Sequence, residues 1–246
     1  MPQVRVQSPR DLDAMEKGDA YLAGFAERVM RQEFMKKTFG ILGLQLALTT
    51  LIGAAIVGFP TVKLAVLANP GILLLSFVAS FVIMLAFAFS ERARNSHPTN
   101  LILLFAFTAC EGVLVGATSA QYKADVVVLA FAMTAAVSAG LSLYAVRTKT
   151  DFTTMGGFLY SMLLSLLVAS LLGVFVKVPM MSLGLGLAGA SLFSLYLIYD
   201  IQMLMGGNHK YKLSPDEYVL GAITLYLDII NLFLHILQVL SEMRRD

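Results

Sequence analysis

Apolar residues occur in seven successive blocks of roughly 20 residues, and this spacing limits the possible folds more than any other feature of the chain. A helix rises 1.5 Å per residue, so about 20 residues cross the roughly 30 Å hydrocarbon core of a bilayer. Transmembrane strands would need only about half that length. The mean hydropathy of +0.77 also lies far above that of an ordinary soluble domain. The sequence therefore predicts an all-α polytopic membrane protein with seven transmembrane helices.

The spans can be placed from the charges, prolines and glycines that separate the apolar blocks. We predict spans near residues 38–59, 71–90, 100–120, 125–145, 153–176, 180–204 and 217–240. None of the joints is long enough to hold a soluble domain. We divide the chain into three parts, namely an N-terminal tail (1–37), a seven-helix transmembrane domain (38–240) and a C-terminal tail (241–246).

The distribution of lysine and arginine predicts the orientation. Eight such residues near the span ends fall on the side of the N-terminus: Lys36, Lys37, Arg92, Arg94, Arg147, Lys149, Lys210 and Lys212. The opposite loops contain only Lys63, Lys123 and Lys177. Positive charge accumulates on cytosolic loops, so we expect a cytosolic N-terminus. Seven spans then place the C-terminus across the membrane, although Arg244 and Arg245 favour the alternative of a seventh segment that re-enters without crossing.

The segments outside the spans carry helix signals. In the N-terminal tail, which lacks the features of a cleavable signal peptide, Leu22, Phe25 and Val29 predict a short helix along the membrane surface. A solvated tail is the alternative. The pair at 206–207 (GG) predicts a helix stop of the left-handed kind after the sixth span. Residues 214–217 (SPDE) predict a capping box with proline at the first helical position, so the last helix should begin in water.

Ionisable side chains at membrane depth are expensive, at roughly 3 kcal/mol or more each, and their retention indicates function. Asp200 lies about 9 Å before the glycine stop, and Asp228 lies about 21 Å past the capping box. If the last helix begins a turn or two outside the membrane, the two carboxyl groups reach a similar depth. We therefore single out this pair.

Two carboxyl groups brought together where there is little water cannot easily both ionise, so they would share a proton and act as a proton switch. The deprotonated oxygens would suit calcium, whose shell of six to eight ligands water or carbonyls would complete. We therefore expect calcium as a transported or sensed ion and no tightly bound cofactor. The alternative is structural hydrogen bonding.

Four further residues are weaker candidates. Glu111, in the middle of the third span, could line an aqueous path or pair with a basic group. Arg92 and Arg94, at the end of the second span, could reach inward to a carboxylate or act only as orientation signals. His235 shares a helix face with Asp228 but is more often a packing residue in such a position.

Three stretches of sequence carry a family resemblance. Residues 195–200 (LYLIYD) and 225–234 (LYLDIINLFL) resemble the signature of the transmembrane Bax inhibitor motif family, and residues 209–218 (HKYKLSPDEY) are most similar to its lifeguard branch. The resemblance extends over the whole seven-span region and is strongest from about residue 100 onward.

This resemblance implies a seven-helix bundle with the last helix at its centre and a pH-sensitive calcium leak. The paired-aspartate sensor of the family would correspond to Asp200 and Asp228, and its acidic position in the third span to Glu111. The basic latch of some bacterial members has two competing counterparts, Arg92 and Arg94. The resemblance also implies a role in calcium homeostasis and inhibition of apoptosis.

Other classes of function fit less well. An intramembrane aspartyl protease also carries one aspartate on each of two helices, but its Gly-x-Gly-Asp and Pro-Ala-Leu motifs are missing, so we expect no enzymatic activity. A non-conducting regulator that binds apoptosis or stress-response proteins remains the main alternative. We expect the lipid bilayer, calcium ions, protons and apoptosis-regulating membrane proteins as partners, and no nucleic acid. The membrane would be the Golgi or endoplasmic reticulum in a eukaryote and the plasma membrane in a bacterium.

Overall fold

The computed structural model describes residues 9–175, 180–206 and 210–244. These residues form a helical bundle, in which a short 3-10 helix at Phe152–Met155 precedes the seventh α-helix. The α-helices in chain order are α1 Pro9–Gly58, α2 Pro60–Leu67, α3 Pro70–Phe89, α4 Glu91–Asn95, α5 Thr99–Ser119, α6 Ala124–Arg147, α7 Gly156–Phe175, α8 Met181–Met205 and α9 Tyr218–Met243.

Seven of the described helical segments are long and apolar enough to cross a membrane, which confirms the predicted fold class. They lie in α1, α3, α5, α6, the 3-10 helix with α7, α8 and α9, within a few residues of the predicted spans beyond the first. In the apolar part of α9, 61% of the residues are buried, compared with 11 to 39% in the other spans. The last helix therefore lies at the centre of the bundle, as predicted.

The first helix is longer than its span. It continues without a break from Pro9 to Gly58, about 75 Å at the usual helical rise. The surface helix predicted around Leu22, Phe25 and Val29 is therefore part of α1, and these three side chains are exposed. The division into a tail and a transmembrane domain stays a prediction. Lys177, Gly207, His209 and Arg245, which the sequence analysis used, lie outside the described residues.

The connection from α8 to α9 differs in part from its prediction. Helix α8 does end at Gly206, but φ of +59° and ψ of −125° differ from the left-handed helical conformation. The predicted capping box is wrong, because α9 begins only at Tyr218. The Glu217 carboxylate accepts a hydrogen bond from the Ser214 N–H (3.0 Å), as in a capping box. The Glu217 N–H, however, donates to the Ser214 carbonyl (3.0 Å), so residues 214–217 form a separate turn before the helix. Asp228 therefore lies about 4.5 Å nearer to the helix start than predicted.

The start of α9 is fixed on the N-terminal side of the bundle. The Lys37 ammonium lies 3.3 Å from the centre of the Tyr218 ring, and Asn100 donates to the Tyr218 hydroxyl (2.9 Å). These contacts join the beginning of α9 to α1 and α5. They hold the polar loop before α9 against the basic end of the bundle.

The ends of α9 lie on opposite sides of the bundle. Just before its start, Lys212 forms an ion pair with Glu27 of α1 (3.2 Å). Just after its end, Arg244 pairs with Asp125 at the start of α6 (2.6 Å), where α5 has already crossed from the N-terminal side. The seventh segment thus extends from one side of the bundle to the other, which favours a complete crossing over the re-entrant alternative.

Candidate functional site

The two aspartates singled out from the sequence lie together in the interior. Asp200 on α8 and Asp228 on α9 have their carboxyl groups within hydrogen-bonding reach of each other. Asp228 is only 5% exposed, and Asp200 is partly buried. Two carboxyl groups so close and so shielded from water hold a shared proton far more easily than two negative charges.

The two carboxyl groups have different surroundings. The Thr224 hydroxyl, one turn before Asp228, donates to the carbonyl of Gly221 in its own helix (3.3 Å) and also lies beside Asp200. Among the described residues no donor reaches Oδ2 of Asp228, although this atom is sealed from solvent. A negative charge on Asp200 therefore has a hydroxyl beside it that can turn toward it, whereas Oδ2 of Asp228 depends on a proton, a water molecule or a cation.

Close packing of α8 against α9 brings the pair together. A Cβ at Gly186 would lie 2.8 Å from Cγ2 of Val239, and a Cβ at Gly189 would overlap the His235 ring. The small residues that the sequence shows at the start of the sixth span thus allow α9 to approach closely. Without this approach the carboxyl groups could not meet.

Aromatic rings cover one side of the pair. Phe193 stacks on His235 with ring centres 5.6 Å apart, and Tyr196 lies next to Phe193 and edge-on to Tyr199. Tyr196 and Tyr199 lie near the aspartates, so this aromatic cluster lies beside the carboxyl pair.

His235 is a packing residue in this structure. Its ring lies flat between Phe193 and Gly189, and it contacts Gln238, which in turn donates to the carbonyl and hydroxyl of Ser182 (2.8 and 3.1 Å). Its Nδ1 atom has no hydrogen-bond partner among the described residues. The ring therefore belongs to the α8–α9 contact and is not a member of the carboxyl pair.

Glu111 lies on α5 and belongs to a second polar group. Ser80 of α3, which is 4% exposed, donates to the carbonyl of Phe77 (3.1 Å) and lies beside the carboxyl group of Glu111. The charge of Glu111 also acts on the hydroxyl of Tyr226, which forms a hydrogen bond with Thr49 of α1 (2.8 Å). Tyr226 and Asp228 are only two positions apart on α9, so the central helix connects the two polar groups.

Arg92 and Arg94 do not contact either aspartate. Arg94 lies on the short helix α4 and donates to the carbonyls of Phe87 and Ala88 (2.7 and 3.1 Å), so it covers the end of α3. The Arg92 side chain is exposed. A latch formed by either residue stays a prediction.

The sequence analysis missed several neutral polar residues in the interior. Gln45 of α1 is fully buried and donates to Thr108 of α5 (2.9 Å), while its own Oε1 atom has no donor among the described residues. Thr49 and Thr224 were also not singled out. Their signal is a polar residue inside an apolar block, but such residues are common on membrane helices, where a hydroxyl can bond its own backbone.

The oxygen ligands that the site could offer a cation come from the two carboxyl groups. Within the residues that the structure describes, no three His, Cys, Asp or Glu side chains come together. Two carboxyl groups would supply a passing cation with oxygen ligands, and water or carbonyls would have to complete the shell.

Comparison with known proteins gives consistent relatives. Residues 31–246 match the model of the family described as "Inhibitor of apoptosis-promoting Bax1". The chain is 39% identical to protein lifeguard 4 of Mus musculus over 216 residues, which are 88% of this chain and 87% of that protein.

Two further relatives come from a virus and a fungus. The chain is 38% identical to the Golgi anti-apoptotic protein of Vaccinia virus (strain Lister) over 212 residues, or 86% of each chain. It is 33% identical to Bax inhibitor 1 of Schizosaccharomyces pombe over 218 residues, which are 88% of this chain and 79% of that protein. The matched residues include both aspartate-bearing helices, since the family model runs from residue 31 to the end.

Proposed function

Because the chain belongs to the Bax inhibitor motif family, as its family match and its lifeguard relatives show, we propose that it is a proton-regulated calcium leak pathway. Asp200 and Asp228 act as its sensor and gate. The observation that carries this proposal is the direct approach of two carboxyl groups inside a membrane-spanning bundle.

The gate works through the charge of the pair. With one shared proton the carboxyl groups attract each other and hold α8 against α9. Without that proton they repel each other unless a cation neutralises them. Calcium, a hard cation that prefers carboxylate oxygens, is the ion expected to enter there, and Glu111 supplies the next negative charge on the path.

The setting of this activity is an internal membrane, with the N-terminus in the cytosol. The concentration of lysine and arginine on the N-terminal side supports the orientation. A viral relative whose name places it at the Golgi supports an endomembrane. A leak there would lower the stored calcium that is available for apoptotic signals.

A second candidate is a non-conducting regulator that binds apoptosis-regulating membrane proteins. The names of the relatives favour it, since they describe anti-apoptotic action and not transport. In that case the carboxyl pair would control the conformation of a binding surface instead of an ion path.

The two candidates separate in a flux measurement. Purified protein would be reconstituted in liposomes that contain a calcium dye, and influx would be recorded from about pH 6 to pH 8, the range in which a shared proton can exchange. The variant Asp200→Asn with Asp228→Asn keeps the shape of both side chains but cannot release a proton. We expect pH-dependent flux in the parent protein and low flux that does not change with pH in the variant, because its neutral amide pair keeps α8 against α9.

The control is Asp125→Asn, which removes a carboxylate at the surface end of α6. Its flux should keep the pH dependence of the parent protein. An unchanged pH profile in the double variant would refute the gate. If the parent protein gave no more flux than empty liposomes at any pH, the regulator would be favoured instead.

A further inference from the structure

A buried arginine lies outside the carboxyl site, on the N-terminal side of the bundle. Arg31 of α1 is 9% exposed, and its Nη1 atom donates to the carbonyls of Leu213 (2.7 Å) and Leu204 (3.4 Å). Its guanidinium also lies 5.4 Å from the centre of the Phe34 ring. Arg31 therefore joins α1 to both ends of the connection between α8 and α9.

The charge of Arg31 is not neutralised. Among the described residues no carboxylate forms an ion pair with it, although burying an unpaired charge is costly. Its Nε and Nη2 atoms donate to none of these residues and are not sealed from solvent. The guanidinium thus has donors to spare for a group that comes from outside.

Arg31 borders a cavity of about 400 Å³, within the size range of small-ligand sites. Its lining consists of Glu27, Met30, Arg31, Lys212, Leu213, Ser214 and Pro215. The three charged residues sum to one positive charge. Lys212 and Glu27 form an ion pair at the rim with about half of each side chain exposed, and such pairs are weak enough to open.

We propose that this cavity binds a phosphate group, with Arg31 as the buried anchor and Lys212 as the second cation. The planar fork of arginine suits phosphate oxygens, and basic cavities beside membrane helices bind the headgroups of anionic lipids. The phosphate could belong to a lipid headgroup or be free in solution. Its binding would tie α1 to the α8–α9 connection, and it does not depend on ion conduction.

Gly206 is adapted to this arrangement. A Cβ at position 206 would lie 2.8 Å from Cζ of Arg31, and the φ of +59° is one that other residues rarely adopt. The end of α8 therefore leaves room for the guanidinium beside its backbone.

The test is thermal unfolding of the full chain in three preparations: phosphatidylcholine nanodiscs, nanodiscs that also contain phosphatidic acid, and phosphatidylcholine nanodiscs with millimolar inorganic phosphate. We expect a rise in the unfolding midpoint of roughly 3 °C or more in one phosphate-containing preparation. A rise with phosphatidic acid alone identifies a lipid headgroup, and a rise with inorganic phosphate identifies a free anion.

Variants separate a bound phosphate from general attraction to a basic surface. Lys212→Gln should lose about half of the rise or more, and Glu27→Gln, which releases Lys212 from its ion pair, should increase it. Lys36→Gln is the matched control, because Lys36 is exposed, pairs with Glu33 and does not line the cavity. No rise with either phosphate source, or an equal loss in Lys36→Gln and Lys212→Gln, would overturn the proposal. Arg31→Lys, which keeps the charge without the fork, should fold and bind more weakly.

Discussion

The two aspartates of the carboxyl pair are not equivalent, and Thr224 is the residue that distinguishes them. Its hydroxyl donates to the Gly221 carbonyl (3.3 Å) but lies beside Asp200 and can turn toward it when the pair is charged, whereas Oδ2 of Asp228 has no donor among the described residues. A hydrogen bond to a carboxylate stabilises the charged form. Thr224 therefore favours release of the shared proton and should influence the pH at which the gate responds.

Replacing this threonine by valine should move the pH response without removing the gate. Thr224→Val keeps the shape but loses the donor, so the charged pair becomes less stable. One hydrogen bond contributes about 0.5–1.5 kcal/mol, and one pH unit corresponds to about 1.4 kcal/mol. We expect the midpoint of calcium flux against pH to rise by roughly 0.5–1 unit in the liposome assay.

A second threonine provides the comparison. Thr134 of α6 is buried and likewise donates to a carbonyl of its own helix, that of Ala130 (2.8 Å), but its helix carries neither aspartate. Thr134→Val should leave the midpoint in place. Equal midpoints in the parent protein and Thr224→Val would show that this hydroxyl has no part in the response.

At the scale of elements, the contact between α8 and α9 depends on two glycines with different neighbours. Gly189 faces the His235 ring, and Gly186 faces Val239. Gly184, in the first turn of the same helix, has nothing within 4 Å of the place where a Cβ would be. The same substitution should therefore have opposite effects on the two sides of α8.

Gly189→Ala should reduce the free energy of unfolding by about 1–3 kcal/mol, because the new methyl group overlaps the His235 ring and pushes α9 away. Gly184→Ala should be neutral or stabilising by up to about 1 kcal/mol, because alanine favours the helix. Unfolding in a denaturing detergent would measure both. Similar effects of the two variants would contradict the close packing of α8 on α9.

A double variant tests whether the loss comes from the ring. In Gly189→Ala with His235→Ala the methyl group meets an empty space, so the combined loss should be smaller than the sum of the single losses. Strict additivity would place the cost elsewhere.

Apolar periodicity predicts the spans well because their length is set by the membrane and not by contacts within the protein. It does not predict that α1 begins at Pro9, because the charged tail before the first span is not apolar. Gly24 and Gly40 lie between the tail and the span, but neither interrupts the helix. The start of α9 was misplaced for another reason. The motif at 214–217 has the composition of a capping box, but its backbone closes a turn first.

For the whole molecule, the carboxyl pair could be predicted because charged residues inside apolar blocks are rare and need a partner. Arg31 could not be recognised in this way. It lies in the charged segment before the first span, and only the fold shows that the α8–α9 connection buries it. The interior position of Gln45 likewise depends on how α1 and α5 face each other, which the sequence of one helix does not contain.

The two ion pairs at the ends of α9 lead to a prediction for the whole molecule, because they place the ends of this helix on opposite sides of the bundle. Single cysteines would be introduced in a Cys110→Ala background at exposed positions: Lys210→Cys, Gln121→Cys and Met243→Cys. In sealed vesicles with the cytosolic face outward, an impermeant maleimide should label only Lys210→Cys, since basic loops stay in the cytosol.

Detergent should then expose the other two positions to the same reagent, which controls for their reactivity. The loop between α5 and α6 and the end of α9 should behave alike, because Asp125 and Arg244 hold them together. Labelling of Met243→Cys together with Lys210→Cys in sealed vesicles would mean that α9 returns to its own side. Labelling of Gln121→Cys and Met243→Cys alone would keep the seven crossings but reverse the orientation, so that the basic loops would lie outside the cytosol.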